Sequence, residues 1–333
     1  RHLSSAASDV YKRQSLNQLG YDHVFYVKLA SGAVFSSLLS KGNEKIVHRT
    51  INHILLDGPS LRSYRHFPNV GKRKSWAAAD ASKRGIELAK ISQLNDEVYS
   101  SIQDDKNWGF EKNYLNDSEI KFGKELNDWV IQNVLFKVLF PAEFHGQSAV
   151  EGAIKLSKEF NQNIDKVKKI NIFTHEPAIR IIANKENLSN ASDRDHSLEY
   201  MVSAALLFGE LKYEMYGNDF SGLNKIESLR KKIVVSEDPN FTKNYYEFSK
   251  RHISNSIEIV YDNNSTSEKI TIENPIGHPS RREEAIPLLK EKFIRNVQNV
   301  LSLEKSMSLW EQVINLEKDD ELTKFFNILQ DDE

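Results

Sequence analysis

The chain has 333 residues, 39% hydrophobic and 28% charged, with a formal net charge of -2. That balance suits a globular protein of one large or two ordinary domains, and it offers no global attraction to nucleic acid or an anionic membrane. Cysteine is absent, which closes disulfides, a cysteine nucleophile and a thiolate-held iron–sulfur cluster to this chain and fits a reducing cytoplasm.

Residues 1–14 have no initiator Met, no apolar period and no signal-peptide core, so they read as a non-native or disordered leader. From 21 to 39, Val24, Val27, Lys28, Ser31, Val34 and Leu38 recur three and four apart, the period of a helix. Its small residues Ala30, Ser31, Gly32 and Ala33 would let a second helix approach closely. A second helix is predicted over 46–56, stopped by Asp57-Gly58-Pro59, and a third over 76–91. Helices in succession without strands argue for an all-helical packing unit. Residues 95–128 are polar and dotted with aromatics, with Trp108-Gly109-Phe110 as a turn.

Composition then shifts. The apolar run 134–140 ends at Pro141, and after Gly146 the residues Val150, Ala153, Ile154 and Ser157 take helical spacing. Residues 168–174 alternate like a strand, and 256–261 with 268–272 read as a hairpin about Asp262-Asn263-Asn264. Between them a helix is predicted from an N-cap at Asp193 or Asp195, through Met201 and Ala205, to Gly209. Helices return over 286–301 and 308–316, before the acidic tail Asp331-Asp332-Glu333. The expected class is α+β and mainly helical: a helical domain over 15–133, an α+β domain over 134–278, and a return to the helical domain over 279–333. No uninterrupted apolar run is long enough to span a bilayer.

Four patches could carry chemistry. Glu143 and His145 sit in the bend between a buried run and a helix start, where an acid and a base could be held; the plainer alternative is a helix cap and a packed ring. Arg62, Arg65, His66, Lys72, Arg73, Lys74, Lys83 and Arg84 fall in one short window opposed only by Asp80. Arg forks grip carboxylates bidentately, so a small polyanion would suit it, as would a solvated loop or a nucleic-acid patch. His196 and Tyr200 are four apart and would share a helix face, able to donate a proton to a leaving oxygen or simply to bond each other in the core. His278, between Gly277 and Pro279, is presented by a stiff loop with Arg281 and Arg282; His23 is a lone histidine at a helix start. The ten histidines show no HExxH or HxH spacing, so no metal is expected.

Together the segments Val70-Gly71-Lys72-Arg73-Lys74-Ser75-Trp76-Ala77-Ala78-Ala79-Asp80-Ala81, Phe140-Pro141-Ala142-Glu143-Phe144-His145-Gly146-Gln147, Asp193-Arg194-Asp195-His196 with Tyr200-Met201-Val202, and Pro275-Ile276-Gly277-His278-Pro279 resemble the MmgE/PrpD family. They occur in the family's order from Ser15 to about Arg295. The resemblance implies a large all-α domain with a smaller α+β lid, a cytoplasmic homodimer, and no cofactor. It implies a lyase that removes water from a small tricarboxylate, 2-methylcitrate, to give 2-methyl-cis-aconitate in propionate breakdown. Decarboxylation of cis-aconitate, or another lyase or isomerase reaction, is the alternative on the same scaffold; an inactive truncated fragment is another.

Carried over by the resemblance, His23, Lys83, Lys137, Glu143 and Tyr200 lie at or near the substrate. His23 or a neutral Lys83 would be the base, and Tyr200 or His196 the acid. Arg62, Arg65, His66, Arg73, Lys74, Arg84, Lys137, His145 and His278 would bind the carboxylates. Family members that decarboxylate cis-aconitate carry a lysine where Lys83 stands; those that dehydrate carry a small hydroxyl residue there. The family's N-terminal segment Leu-Asp-Tyr-Asn-Asp-Thr has no counterpart here, so the helical domain is expected to lack its N-terminal part.

Overall fold

A computed structural model of the chain describes residues 16–316, except 18, 67, 95–98, 100, 121–133, 184–186 and 248. The leader and the acidic tail lie outside the described residues.

The first unit is built on three helices: α1 (Val24–Leu39), α2 (Glu44–Asp57) and α3 (Arg73–Leu94). The predicted stop of α2 is made by Gly58, whose φ of 63° is the left-handed region that glycine enters without strain. Phe25, Ile54, Leu55 and Leu88 form the core between the helices, joined by Phe110 from the short α4 (Phe110–Tyr114). Phe110 stacks on Phe25 with ring centroids 5.3 Å apart. The small residues of α1 serve as the spacing suggested. A Cβ placed on Gly85 of α3 would stand 2.4 Å from the Lys28 carbonyl oxygen of α1, and one on Gly32 would stand 2.5 Å from Ile54 Cδ1. Ser31 and Ser82 hydroxyls meet at 3.1 Å across the same crossing.

The second unit follows as α5 (Gln147–Gln162), β1 (Val167–Thr174), α6 (Glu176–Ile182), α7 (Ala191–Arg194), α8 (Leu198–Phe208), α9 (Leu223–Arg230), β2 (Ile233–Glu237), α10 (Pro239–Tyr246), β3 (Asn255–Tyr261) and β4 (Ile270–Ile272). The strands form one mixed sheet in the order β2-β1-β3-β4. β1 pairs in parallel with β2 (Ile170 opposite Ile233) and antiparallel with β3, while β3 and β4 make the predicted hairpin (Ser256 opposite Thr271). Helix α5 packs on β3 and β4, α8 on α5, and α9 on α8. Val150, Ala153, Phe160, Ile170, Ile172, Met201, Ile257 and Ile259 form the separate core of this unit. The parallel strand β2 is not among the predicted elements.

The start of α8 differs from expectation. Asn190 caps α7 in a reciprocal box with Asp193, the chain breaks at Asp195-His196, and Ser197 then caps α8 through the Tyr200 amide. His196 therefore precedes the helix and shares no face with Tyr200.

Two further helices, α11 (Arg282–Val297) and α12 (Leu303–Ile314), complete the described chain. Arg281, just before α11, grips Glu151 of α5 through both terminal nitrogens, at 2.8 and 3.1 Å. The Arg282 guanidinium lies 3.8 Å over the Phe136 ring. The protein is mainly helical with a small mixed sheet, and among the described residues no helix is long and apolar enough to cross a membrane.

Gly85→Ala forces a Cβ against backbone that cannot step aside, whereas at Gly32 the first atom met is the end of a flexible side chain. We expect Gly85→Ala to destabilise by roughly 1–3 kcal/mol despite alanine's better helix propensity. Gly32→Ala should cost less. Denaturant melts of the two variants measure the difference.

Candidate active site

The two units meet at Lys74, in the first turn of α3. Its side chain is only 9% exposed. Its ammonium stands 2.8 Å from Asp195 Oδ1 and 3.1 Å from the Ser192 carbonyl oxygen, and also meets His196 Nδ1. Burial pulls the Lys74 pKa down against the pull of Asp195. Burial would raise Asp195, but hydrogen bonds and charge from His196 and Lys74 hold its carboxyl below the ordinary range. Asp195 also lies 2.7 Å from His196 Nδ1, so the three groups form one network.

Beside it, the first unit assembles a second network. Asp22 is fully buried; its carboxylate accepts from Arg65 Nε at 2.6 Å and from the Val24 amide at 3.0 Å. Arg62, 8% exposed, lies 2.9 Å from His23 Nδ1, 3.1 Å from Asn17 Oδ1 and 3.2 Å from His66 Nε2. A guanidinium only donates, so it fixes both rings: the neutral His23 carries its hydrogen on Nε2, and the neutral His66 on Nδ1. Burial, helped by the charges of Arg65 and Arg62, pushes His23 down to about 4 despite Asp22. It is therefore neutral near pH 7, with its hydrogen on Nε2 while Nδ1 accepts from Arg62. Burial and the charges of Arg62 and Arg180 also lower His66.

From the second unit come Glu143, His145, Lys137 and Arg180. Glu143 caps the turn Phe144–Gly146 by accepting the His145 amide at 2.8 Å. Burial would raise its pKa, but His145, His196, that amide and Lys137 together hold it low, so it is a carboxylate. The Lys137 ammonium lies 5.4 Å over the Phe144 ring. Arg180, on α6, pairs with Glu176 at 2.9 Å, and its charge reaches Arg62 and His66. The arrangement is a set of cations with the carboxylates of Asp22, Asp195 and Glu143 and several imidazoles beside them. It can hold a polyanion and move a proton. Among the described residues no group of three or more His, Asp or Glu side chains is placed to hold a metal ion.

The structure does not bring every expected residue here. Tyr200 is fully buried in the second core, and its hydroxyl donates to the Met215 carbonyl; its ring stacks on Tyr216, which burial also keeps from ionising. Lys83 is 77% exposed on α3, 4.0 Å from Glu87. Arg84 donates twice to Asp57, at 2.9 and 3.2 Å. Arg73 lies over the Trp76 and Tyr64 rings, 4.6 and 5.2 Å from their centroids. His278 caps the turn Pro279–Arg281 and bonds Ser280, and burial pushes it down to about 4. For these five, periodicity put charged or polar groups near the motifs, but the side each faces was decided by packing. Asp22, His175, Arg180 and Asp195 were not among the expected site residues. For Asp22 and Asp195 the available signal was adjacency to His23 and His196.

The Lys74–Asp195 pair makes a linkage that can be measured. Asp195 is held below its ordinary pKa of 3.8, so its contribution is complete above that pH and fades as pH falls through the folded value. Because Asp195 is 40% exposed, Lys74→Met should cost about 1–3 kcal/mol at pH 7, less than for a fully buried pair. The gap from wild type in guanidinium melts should narrow as pH drops below 3.8.

Residues 6–123 match the MmgE/PrpD N-terminal domain, and residues 140–318 the MmgE/PrpD C-terminal domain. The 2-methylcitrate dehydratases of Salmonella typhimurium and Escherichia coli K12 are each 41% identical over 286 residues, 85% of this chain and 59% of theirs. The mitochondrial 2-methylcitrate dehydratase of Yarrowia lipolytica is 41% identical over 287 residues, 85% of this chain and 55% of its own length. The chain thus spans less than two thirds of these relatives. With both domain matches in the same order and together covering most of its length, the chain belongs to the MmgE/PrpD family.

Proposed function

We propose that this chain carries the working body of a 2-methylcitrate dehydratase, a hydro-lyase that removes water from 2-methylcitrate to give 2-methyl-cis-aconitate. The observation that carries this reading is the gathering of Arg62, Arg65, Lys74 and Arg180 where the two units meet, with the Glu143 carboxylate beside them. The names of the relatives supply the substrate.

Taking a proton from carbon beside a carboxylate builds negative charge on a group already anionic. Fixed cations oppose that build-up and cost no reorganisation when the charge develops. Arg62, Arg65, Lys74, Arg180 and Lys137 supply them. His23, as a neutral Nε2–H donor, would hold a substrate oxygen. His145 would take the proton and His196 would give one to the departing hydroxyl, with Glu143 stabilising the imidazolium formed at His145. Tyr200 and Lys83, held elsewhere, take no part. We also propose that the protein works as a homodimer and in the cytoplasm; sedimentation of the purified chain tests the first.

The test follows the ultraviolet absorbance of the conjugated alkene acid on adding 2-methylcitrate, with a chelator present and the product weighed by mass spectrometry. Loss of water from wild type is the expected result. Glu143→Gln should lower kcat by about a hundredfold, the scale of general acid–base assistance, with little change in KM. Loss of carbon dioxide from cis-aconitate, with no dehydration, would overturn the reading.

A further inference from the structure

His145 is held in one place by its main chain and in one orientation by its ring. Its amide donates to Glu143 Oε2 at 2.8 Å, and its carbonyl accepts from Asn255 Nδ2 at 2.9 Å. Its ring Nδ1 lies 2.8 Å from Nε2 of His175. His175 is fully buried between β1 and α6, and its ring stacks on Tyr245 at 4.8 Å with a 16° tilt.

The proton between the two rings can be placed from the far side of His175. Its Nδ1 has two neighbours, the Ser254 carbonyl oxygen and the Thr174 hydroxyl, each 3.4 Å away. A carbonyl oxygen only accepts, and a hydroxyl can accept as well, so the arrangement that satisfies both puts the His175 hydrogen on Nδ1. Burial keeps the His175 ring neutral, so it has no second hydrogen. Its Nε2 is then a bare acceptor, and the hydrogen between the rings belongs to His145 Nδ1. His145 Nε2 makes no hydrogen bond to the described residues, and in the neutral ring it carries a lone pair.

We propose that His175 is a positioning residue: through the chain Ser254 carbonyl, His175 and His145 it fixes His145 as the Nδ1–H tautomer, so that His145 Nε2 meets a bound molecule as an acceptor. This is the reverse of His23, which Arg62 fixes with Nε2–H outward. The site then offers one imidazole that donates and one that accepts, each set by a partner behind it. The consequence for turnover rests on the dehydratase reading above, and the tautomer does not.

The experiment is nitrogen-15 NMR of histidine-labelled protein at neutral pH, with His145 assigned by its loss in His145→Asn. Two variants separate acceptor from packing. His175→Phe keeps a ring against Tyr245 but removes the acceptor; His175→Gln gives up the ring but can offer a carbonyl oxygen near the Nε2 position. Wild type should show His145 protonated at Nδ1 and bare at Nε2. That signature should weaken in His175→Phe and return in His175→Gln. In the dehydration assay, kcat should fall tenfold to about a hundredfold in His175→Phe, with KM nearly unchanged, and recover in His175→Gln. A hydrogen on His145 Nε2 in wild type, or an unchanged His145 signature in His175→Phe, overturns the proposal. If His175→Phe fails to fold, the wild-type spectrum decides alone. A wild type inactive on 2-methylcitrate but with the expected tautomer would overturn the dehydratase reading and leave this inference standing.

Discussion

A buried ammonium has to be met on all sides, and Lys74 is met by groups more than a hundred residues further along the chain. Desolvating it without partners would cost several kcal/mol. Its anchors at Asp195, the Ser192 carbonyl and His196 therefore pin the start of α3 to the segment that leads into α8. Helix α3 rests on α1 at the Gly32–Gly85 crossing, and α1 begins at Asp22 and His23. The segment into α8 is the one that breaks at His196. These contacts thus tie the unit that carries the Arg62 network to the segment that leads into α8.

Within that frame the charges are arranged to keep the imidazoles unlike one another. Asp22 stands beside both Arg65 and His23, but burial outweighs its pull on the His23 ring, which is neutral. Asp195 is spent on Lys74 and His196. Glu143 remains the carboxylate nearest His145, and it is ionised because two imidazoles, an amide and Lys137 outweigh its burial. Separate environments acting on chemically identical groups are how one site comes to hold both donors and acceptors of protons.

The motifs marked the candidate site, and packing decided which of their side chains gather there. The bend at Pro141 and Gly146 was legible because proline ends a run and the helical period starts after it; it holds Glu143 as a cap and, through the same hydrogen bond, as a site carboxylate. The basic window was legible as composition, but it divides by facing: Arg62, Arg65, His66 and Lys74 turn to the seam, while Arg73, Lys83 and Arg84 do not. His196 and Tyr200 looked paired on a continuous helix. The break capped by Ser197 separated them, because a local hydroxyl cap competes with helix continuation.

Sequence by itself determined the helical period of α1 to α3, the stop at Gly58, the β3–β4 hairpin and the family, since each is written in local spacing or in motifs a few residues long. Only the tertiary structure decided that β2 lies parallel to β1, that the charge of Arg180 reaches Arg62, that Tyr200 belongs to a core, and that His175 stands behind His145. Those facts rest on contacts between residues far apart in the chain, and local spacing records which residue types are present without fixing which distant groups they meet.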